Sequence, residues 1–425
     1  MTDGPLQVVP NAEFRAARRA PLDGETLSQA RAILDDVEAR GEKAVRAHAA
    51  RLGDLRPGER LVYEPAQLRA ARDRLDTATR SLLERTAERI RAFALAQRAC
   101  LKDLAIPIPG GEAGHTCLPV DAAGCYAPGG RFPLPSSVLM TVVVARAAGV
   151  PLVFAASPRP ADVTLAAAAI AGADGLLAVG GAQAIGALAF GVAPVPRCDM
   201  IVGPGNRWVT AAKHLVSDRV GIDMLAGPSE LVVLADDTSD APTVAADLLA
   251  QAEHDPDAIP ILVTTSAALA QAVNRELAEQ LPRLPTRANA AAALRNGAIV
   301  LARDTDSAVA VCNALAPEHL EVVTADAESL APRLRHCGGL FIGRGAAEVL
   351  GDYGAGPNHV LPTGGTARFR AGLSVFTFLR ATTWMRMSGE PSQDLLRDTV
   401  NLARAESLEG HARAAEMRLN AVLSK

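Results

Sequence analysis

The stretch PLVFAASPRPADVTLAAAAIAGADGLLAVGGAQAIGALAFGVAPVPRCDMIVGPGNRWV, residues 151–209, decides the fold. Short apolar runs alternate in it with longer Ala-rich segments: PLVFAAS (151–157), a helix over 162–171, GLLAVG (175–180), a helix over 182–190, DMIVG (199–203) and a helix over 206–216. Continuous apolar runs bounded by Gly and Pro suit strands buried on both faces. Their alternation with helices predicts a parallel sheet. Upstream, AAGCYAPGG (122–130) ends an apolar segment in a Gly-rich turn and precedes an Ala/Val helix at 137–148. Downstream, SELVVLADD (229–237), PILVTTS (260–266), GAIVLA (297–302), HLEVVTA (319–325) and GLFIG (339–343) read as strands. PTVAADLLAQAEHD (242–255) and a segment running to about 280 read as helices between them. Two such runs predict an α/β protein with two Rossmann-like, incomplete parallel-sheet domains. The first ~110 residues carry helical periodicity, as in TATRSLLERTAERIRAFALAQRACL (77–101). Residues 351–373 read as a Gly-rich loop, and 392–421 as mostly one helix.

At 425 residues the chain exceeds one compact core, and roughly two to four domains are expected. A hydrophobic content of 49% excludes a disordered chain. Only 3% of residues are aromatic and the net charge is −4, so the basic, aromatic footprint of a nucleic-acid binder is missing. The six cysteines, at 100, 117, 125, 198, 312 and 337, form no CxxC pair and predict reduced thiols in a cytoplasmic setting. The opening MTDGPLQVVPNAEFRAARRA lacks an apolar signal core. The most apolar segment, VLMTVVVARAAGVPLVFAAS (138–157), is interrupted by Arg146 and broken at Gly149-Val150-Pro151. It predicts a buried helix and strand, and no membrane span.

Eight histidines are few enough to question one by one. Gln251 and His254 stand at i,i+3 near the end of a predicted helix and so share a face. His319 follows Glu318 at a helix-to-strand junction, Asp352 and His359 lie in the Gly-rich loop, and His411 comes five residues after Glu406. Imidazole and carboxylate suit a borderline cation such as zinc. No HExxH or CxxC motif is present, and each histidine taken alone is more often a solvated or hydrogen-bonded surface residue. The turns CYAPGG (125–130), GGAQAIGALAFG (180–191) and GPGNRWV (203–209) put Gly or an amide at a strand end before a helix. Parallel sheets bind anionic ligands at such places. None of the three is a complete GxGxxG fingerprint or a GxxxxGK[ST] loop. Ser229 of AGPSE is not in a GxSxG elbow, and Cys125 lacks a histidine partner.

The motifs GCYAPGG, PSSVLM, VGGAQAIGALAFG, IVGPGNRWV, GIDMLAGPSEL, DLLAQAEHDPDA, APEHLE, GDYGAGPNHVLPTGGTARF and ESLEGH, in this order over about 120–411, resemble histidinol dehydrogenases. The resemblance implies NAD-dependent oxidation of L-histidinol to histidine through histidinal, with one zinc ion per subunit. By motif, Gln251, His254, Asp352 and His411 would hold zinc, and Glu318 and His319 would be the acid/base pair. Ser229, His359 and Glu406 would contact substrate together with His319 and the zinc ligands, and Tyr126, Gln183 and Asn206 would contact NAD. The family implies an intertwined homodimer whose C-terminal segment reaches the partner's site. The expected division is an N-terminal extension (1–21), a first α/β domain with the zinc and catalytic residues (22–124 plus 231–373), an NAD-binding α/β domain (125–230) and a C-terminal helical dimerisation segment (374–425). Both terminal extensions are expected to be small and helical. GHTCLPVDAAGCYAPGGRFPL (114–134) departs from the family pattern toward sister enzymes that oxidise hydroxysulfonates, so that substrate stays open as an alternative.

Overall fold

A computed structural model describes residues 4–14, 22–56, 58–129, 132–387 and 389–424. Residues 1–3 and 15–21 of the expected N-terminal extension, and Gly130-Arg131 of the GGRFPL stretch, lie outside the described residues. Fifteen strands are present among them. In chain order they are β1 (Gln7–Pro10), β2 (Val62–Tyr63), β3 (Leu104–Ile108), β4 (Gly111–Pro119), β5 (Ala122–Tyr126), β6 (Leu152–Ala156), β7 (Gly175–Leu177), β8 (Met200–Val202), β9 (Gly221–Ile222), β10 (Glu230–Ala235), β11 (Ile259–Thr264), β12 (Ala298–Leu301), β13 (His319–Val322), β14 (Gly339–Ile342) and β15 (Leu379–Met387).

The chain divides into two compact units, one of residues 1–97 with 120–378 and one of 98–119 with 379–425. The larger unit holds two six-stranded sheets, ordered β2-β7-β6-β5-β8-β9 and β1-β12-β11-β10-β13-β14. Each runs outward from its first internal strand in the same pattern, third-second-first-fourth-fifth, which is the doubly wound order. All pairings in the two sheets are parallel except β2 with β7. The apolar runs do what their composition requires. In β10, Leu231 and Val233 enter one hydrophobic core while Val232 and Leu234 enter another across the sheet. Burying each such side chain stabilises by about 1.5–3 kcal/mol.

Several expectations are corrected. The described part of the N-terminal extension is a strand, since β1 adds a parallel edge beside β12. Residues 24–74 pack on the sheet built around β5, outside the domain expected for them: helix Gly24–Arg40 lies on helices Gly181–Phe190 and Arg207–Val216, and helix Pro65–Arg74 on Asp162–Ala171. Gly186 permits the first of these contacts, because a Cβ there would meet Leu34 at 3.1 Å and Val37 at 3.2 Å. The boundary expected at 124/125 therefore falls inside β5.

The smaller unit joins an antiparallel sheet, β15-β4-β3, to a helical pair. The C-terminal segment is thus partly strand, where helix alone is expected. Its tail is two helices, Gln393–Ala405 and Glu409–Leu423. Ser407 sits between them at φ 61°. An L-residue in that left-handed region ends an α-helix.

Candidate active site

The sheet around β5 presents side chains where its strands end, as at Tyr126, whereas the sheet around β10 presents them where its strands begin, at Glu230 and His319. In the sheet around β10, helix Ala241–His254 carries Gln251 and His254 in its last turn and packs against the short helix Glu348–Asp352. His254 Nε2 lies 3.5 Å from Asp352 Oδ2. His319, at the first position of β13, lies 3.8 Å through Nε2 from Asp352 Oδ1 and 3.8 Å through Nδ1 from Glu348 Oε1. His359 Nδ1 donates to the Asp352 carbonyl at 3.0 Å, and Ser137 Oγ meets its Nε2 at 3.4 Å. Helix Thr77–Ala99 supports this loop, with Arg89 Nε donating to the Gly354 carbonyl at 2.7 Å.

The backbone of Glu230 holds both Glu318 and His319. Its N–H donates to Glu318 Oε2 at 3.0 Å, and its carbonyl accepts from His319 Nδ1 at 3.1 Å. A carbonyl only accepts, so Nδ1 carries the proton and Nε2 keeps its lone pair. Both residues are buried. Burial pushes the Glu318 carboxyl well above the usual range and the His319 imidazole down to about 4. Burial likewise raises Glu348 well above its ordinary value and Glu230 to about 7. Asp352 goes the other way: burial works against ionisation, but the His254 hydrogen bond and the His359 and His319 imidazoles hold it below the usual value. The same hydrogen bond raises His254.

His319, Glu348 and Asp352 can present ligand atoms all within 4.8 Å of one another. Gln251 is fully buried, and both its amide atoms lack a hydrogen-bond partner among the described residues, as do His319 Nε2 and Glu348 Oε2. Buried donors and acceptors left unpaired are costly. A cation would satisfy the acceptors among them, Gln251 Oε1, His319 Nε2 and Glu348 Oε2, and nitrogen with oxygen ligands is a set zinc accepts. The trio shares only Asp352 with the expected zinc set. Glu348 is the newcomer, and its one sequence signal is the i,i+4 spacing to Asp352 that puts both on one helix face.

Two cavities are lined by other expected site residues, and the smaller reaches Glu318 and His359. One of about 600 Å³ is lined by Ser229, Glu318 and His359, with Gly227 and Thr363 at its wall. Another of about 930 Å³ is lined by Tyr126, Gln183 and Asn206 together with Asp54. Pro128, Asn206 and Trp208 line both. Tyr126 OH accepts from the Gly181 N–H at 3.3 Å, and Asp54 Oδ2 from the Gly180 N–H at 2.9 Å. Gln183 is buried with both amide atoms unpartnered among the described residues. Cys125 is buried and its thiol is pushed up to about 12, which leaves it inert as a nucleophile. Glu406, the C-cap of helix Gln393–Ala405, and His411, on helix Glu409–Leu423, are exposed residues of the smaller unit. The other expected site residues all belong to the larger one.

No helix among the described residues is long and apolar enough to cross a membrane. A family model described as histidinol dehydrogenase matches residues 17–419. A histidinol dehydrogenase of Thermus thermophilus is 44% identical over 406 residues, 95% of this chain and 97% of its own. One of Cereibacter sphaeroides is 44% identical over 398 residues, 91% of each chain. The crystal structure of histidinol dehydrogenase from Elizabethkingia anophelis superposes with a TM-score of 0.93 at 29% identity, over 99% of this chain and 100% of that one. Family model, relatives and fold agree: the chain belongs to the histidinol dehydrogenase family.

Proposed function

We propose that this oxidoreductase converts L-histidinol to L-histidine through histidinal, using NAD and one zinc ion per subunit. The observation that carries the mechanism is the Glu230 backbone clamp on Glu318 and His319. When bound, zinc orients the alcohol and stabilises charge on its oxygen, and NAD accepts the hydride of each oxidation. His319 does the first proton transfer. Its neutral imidazole, with Nε2 free, takes the hydroxyl proton as the carbinol C–H electrons leave. Glu318 does the second. Its burial raises its proton affinity, so the carboxylate can draw a proton from the water that adds to the aldehyde. Gln251, His254 and Asp352 would be zinc ligands of one chain, with His411 as a further ligand. Glu348, beside His319 and Asp352, would neutralise charge around the ion. Ser229, His359 and Glu406 would contact substrate. Tyr126, Gln183 and Asn206 would contact NAD in the larger cavity.

The reading includes an intertwined homodimer in which Glu406 and His411 complete the partner's site. Supporting it, the smaller unit has only Val400, Ala403, Ala412 and Ala415 as its buried cluster among the described residues, and leaves Leu104, Ile106, Leu402 and Met417 exposed. Apolar surface of that kind marks an interface. A cytoplasmic setting fits six cysteines that are all free. The family match favours histidinol over a hydroxysulfonate. Purified protein supplied with zinc, NAD and L-histidinol should form two NADH per histidine. Rapid turnover of a hydroxysulfonate without turnover of histidinol would overturn the reading.

A further inference from the structure

Lys213 is the largest fully buried side chain among the described residues, 2% exposed, and it faces Asp223, 1% exposed. The two form an ion pair that also holds one residue, Gly203, from both sides. Lys213 Nζ donates to the Gly203 carbonyl at 3.0 Å, and Asp223 Oδ2 accepts from the Gly203 N–H at 2.7 Å. Asp223 Oδ1 also accepts from the Met224 N–H at 2.6 Å. Gly203 directly follows the strand β8 and stands at φ +115°, where a Cβ would come within 1.9 Å of the Tyr126 carbonyl oxygen. The turn that starts at Gly203 is therefore laid directly on the turn that starts at Tyr126.

The chain then returns on itself. Asn206 Oδ1 accepts from the N–H groups of Trp208 and Val209, at 3.1 and 3.2 Å, and so caps helix Arg207–Val216. That helix carries Lys213 back to Gly203, and its Thr210 hydroxyl donates to the Ala226 carbonyl at 3.0 Å. With Oδ1 committed to the cap, Asn206 has its Nδ2 amide left for a ligand. Asn206 and Trp208 line the larger cavity beside Tyr126, so any shift of this turn moves the wall of that cavity.

An ion pair this deeply buried is a poor source of stability, because desolvation offsets its attraction. Apolar replacements of similar volume are often neutral or stabilising. What apolar residues cannot do is hold a residue by its N–H and its C=O at once. We propose that Lys213 and Asp223 are a positioning pair. They fix the Gly203–Asn206 turn against the Tyr126 turn and thereby set dinucleotide affinity and placement. The inference rests on the assignment of NAD to the larger cavity.

The test separates folding from cofactor placement. The double variant K213M/D223L and the charge-removing D223N are compared with the unaltered protein by urea unfolding, NAD calorimetry and steady-state kinetics. K213M/D223L should still fold, with a lower urea midpoint because the Gly203 N–H and C=O lose their partners. Its Kd for NAD should rise at least tenfold while KM for histidinol stays within twofold. D223N should show the same split, and it decides the question if the double variant does not fold. A folded variant whose NAD affinity stays within twofold would overturn the inference alone. A parallel rise in Kd for NAD and KM for histidinol would overturn it too, by marking a general structural loss. Failure of the unaltered protein to bind NAD would overturn the cofactor assignment and the inference with it.

Discussion

Replacing Glu230 by glutamine, E230Q, should make the protein more resistant to urea above neutral pH and leave its resistance unchanged near pH 4.5. The Glu230 carboxyl stands at the head of β10, where Oε1 accepts from the Gly364 N–H at 3.1 Å and burial raises its pKa from 4.5 to about 7. Between those two values the folded protein holds a proton that the unfolded chain has already released. The contribution of this proton to stability is fully present below pH 4.5 and is lost as pH rises through 7. Each pH unit separating the two values corresponds to ~1.4 kcal/mol, so the gap caps the effect at about 3 kcal/mol. The partly exposed edge of the residue reduces that, and we expect about 1–2 kcal/mol. Glutamine keeps the shape and the acceptor for Gly364 but cannot ionise. The assay is urea unfolding of both proteins at several pH values, read as the difference between them so that other titrating groups cancel. The variant should gain relative to the unaltered protein between pH 5 and about 8. A difference that does not change with pH would refute the claim that burial holds this carboxyl protonated.

H319N keeps a donor for the Glu230 carbonyl but removes Nε2, and should lower kcat by about 10²–10⁴ with zinc content unchanged; a loss under threefold would remove His319 from the base role. Q251L and H411A should each lower bound zinc after dialysis, measured by atomic absorption, and full retention would remove that residue from the ligand set. Chelation should abolish turnover and added zinc should restore it; activity that survives chelation would refute the zinc assignment. G203A forces a Cβ toward the Tyr126 carbonyl at a left-handed φ, so a fall in urea midpoint equivalent to about 2 kcal/mol or more is expected, and an unchanged midpoint would refute the close approach.

Several site residues are legible in the sequence because their spacing is local. Gln251 and His254 share a helix face by their i,i+3 separation, and helix Ala241–His254 does present both. Glu318 and His319 are neighbours in the chain and end up in the same buried corner. Glu230, Lys213 and Asp223 carry no such signal. A buried carboxyl reads like a solvated one until the packing around it is known, and Asp223 meets Lys213 only because the turn after β8 folds back. The strands of the smaller unit escape a sequence reading for a related reason: the antiparallel pairing of β4 with β15 joins segments more than 260 residues apart, as Arg380 and Pro119 show. No window along the chain contains both partners.

The amino-acid sequence by itself determined the alternation of strand and helix, the two parallel sheets and the places where their turns gather glycines and amides. Those features follow from periodicity and turn chemistry within ten or twenty residues. Only the tertiary structure decided which sheet the N-terminal helices cover, that β1 and β2 extend the two sheets, and that the C-terminal tail breaks at Ser407. Tertiary structure also set the chemistry. It removed water from Glu318, His319 and Glu230 and placed backbone hydrogen bonds on them, and a group's proton affinity depends on those surroundings more than on its identity.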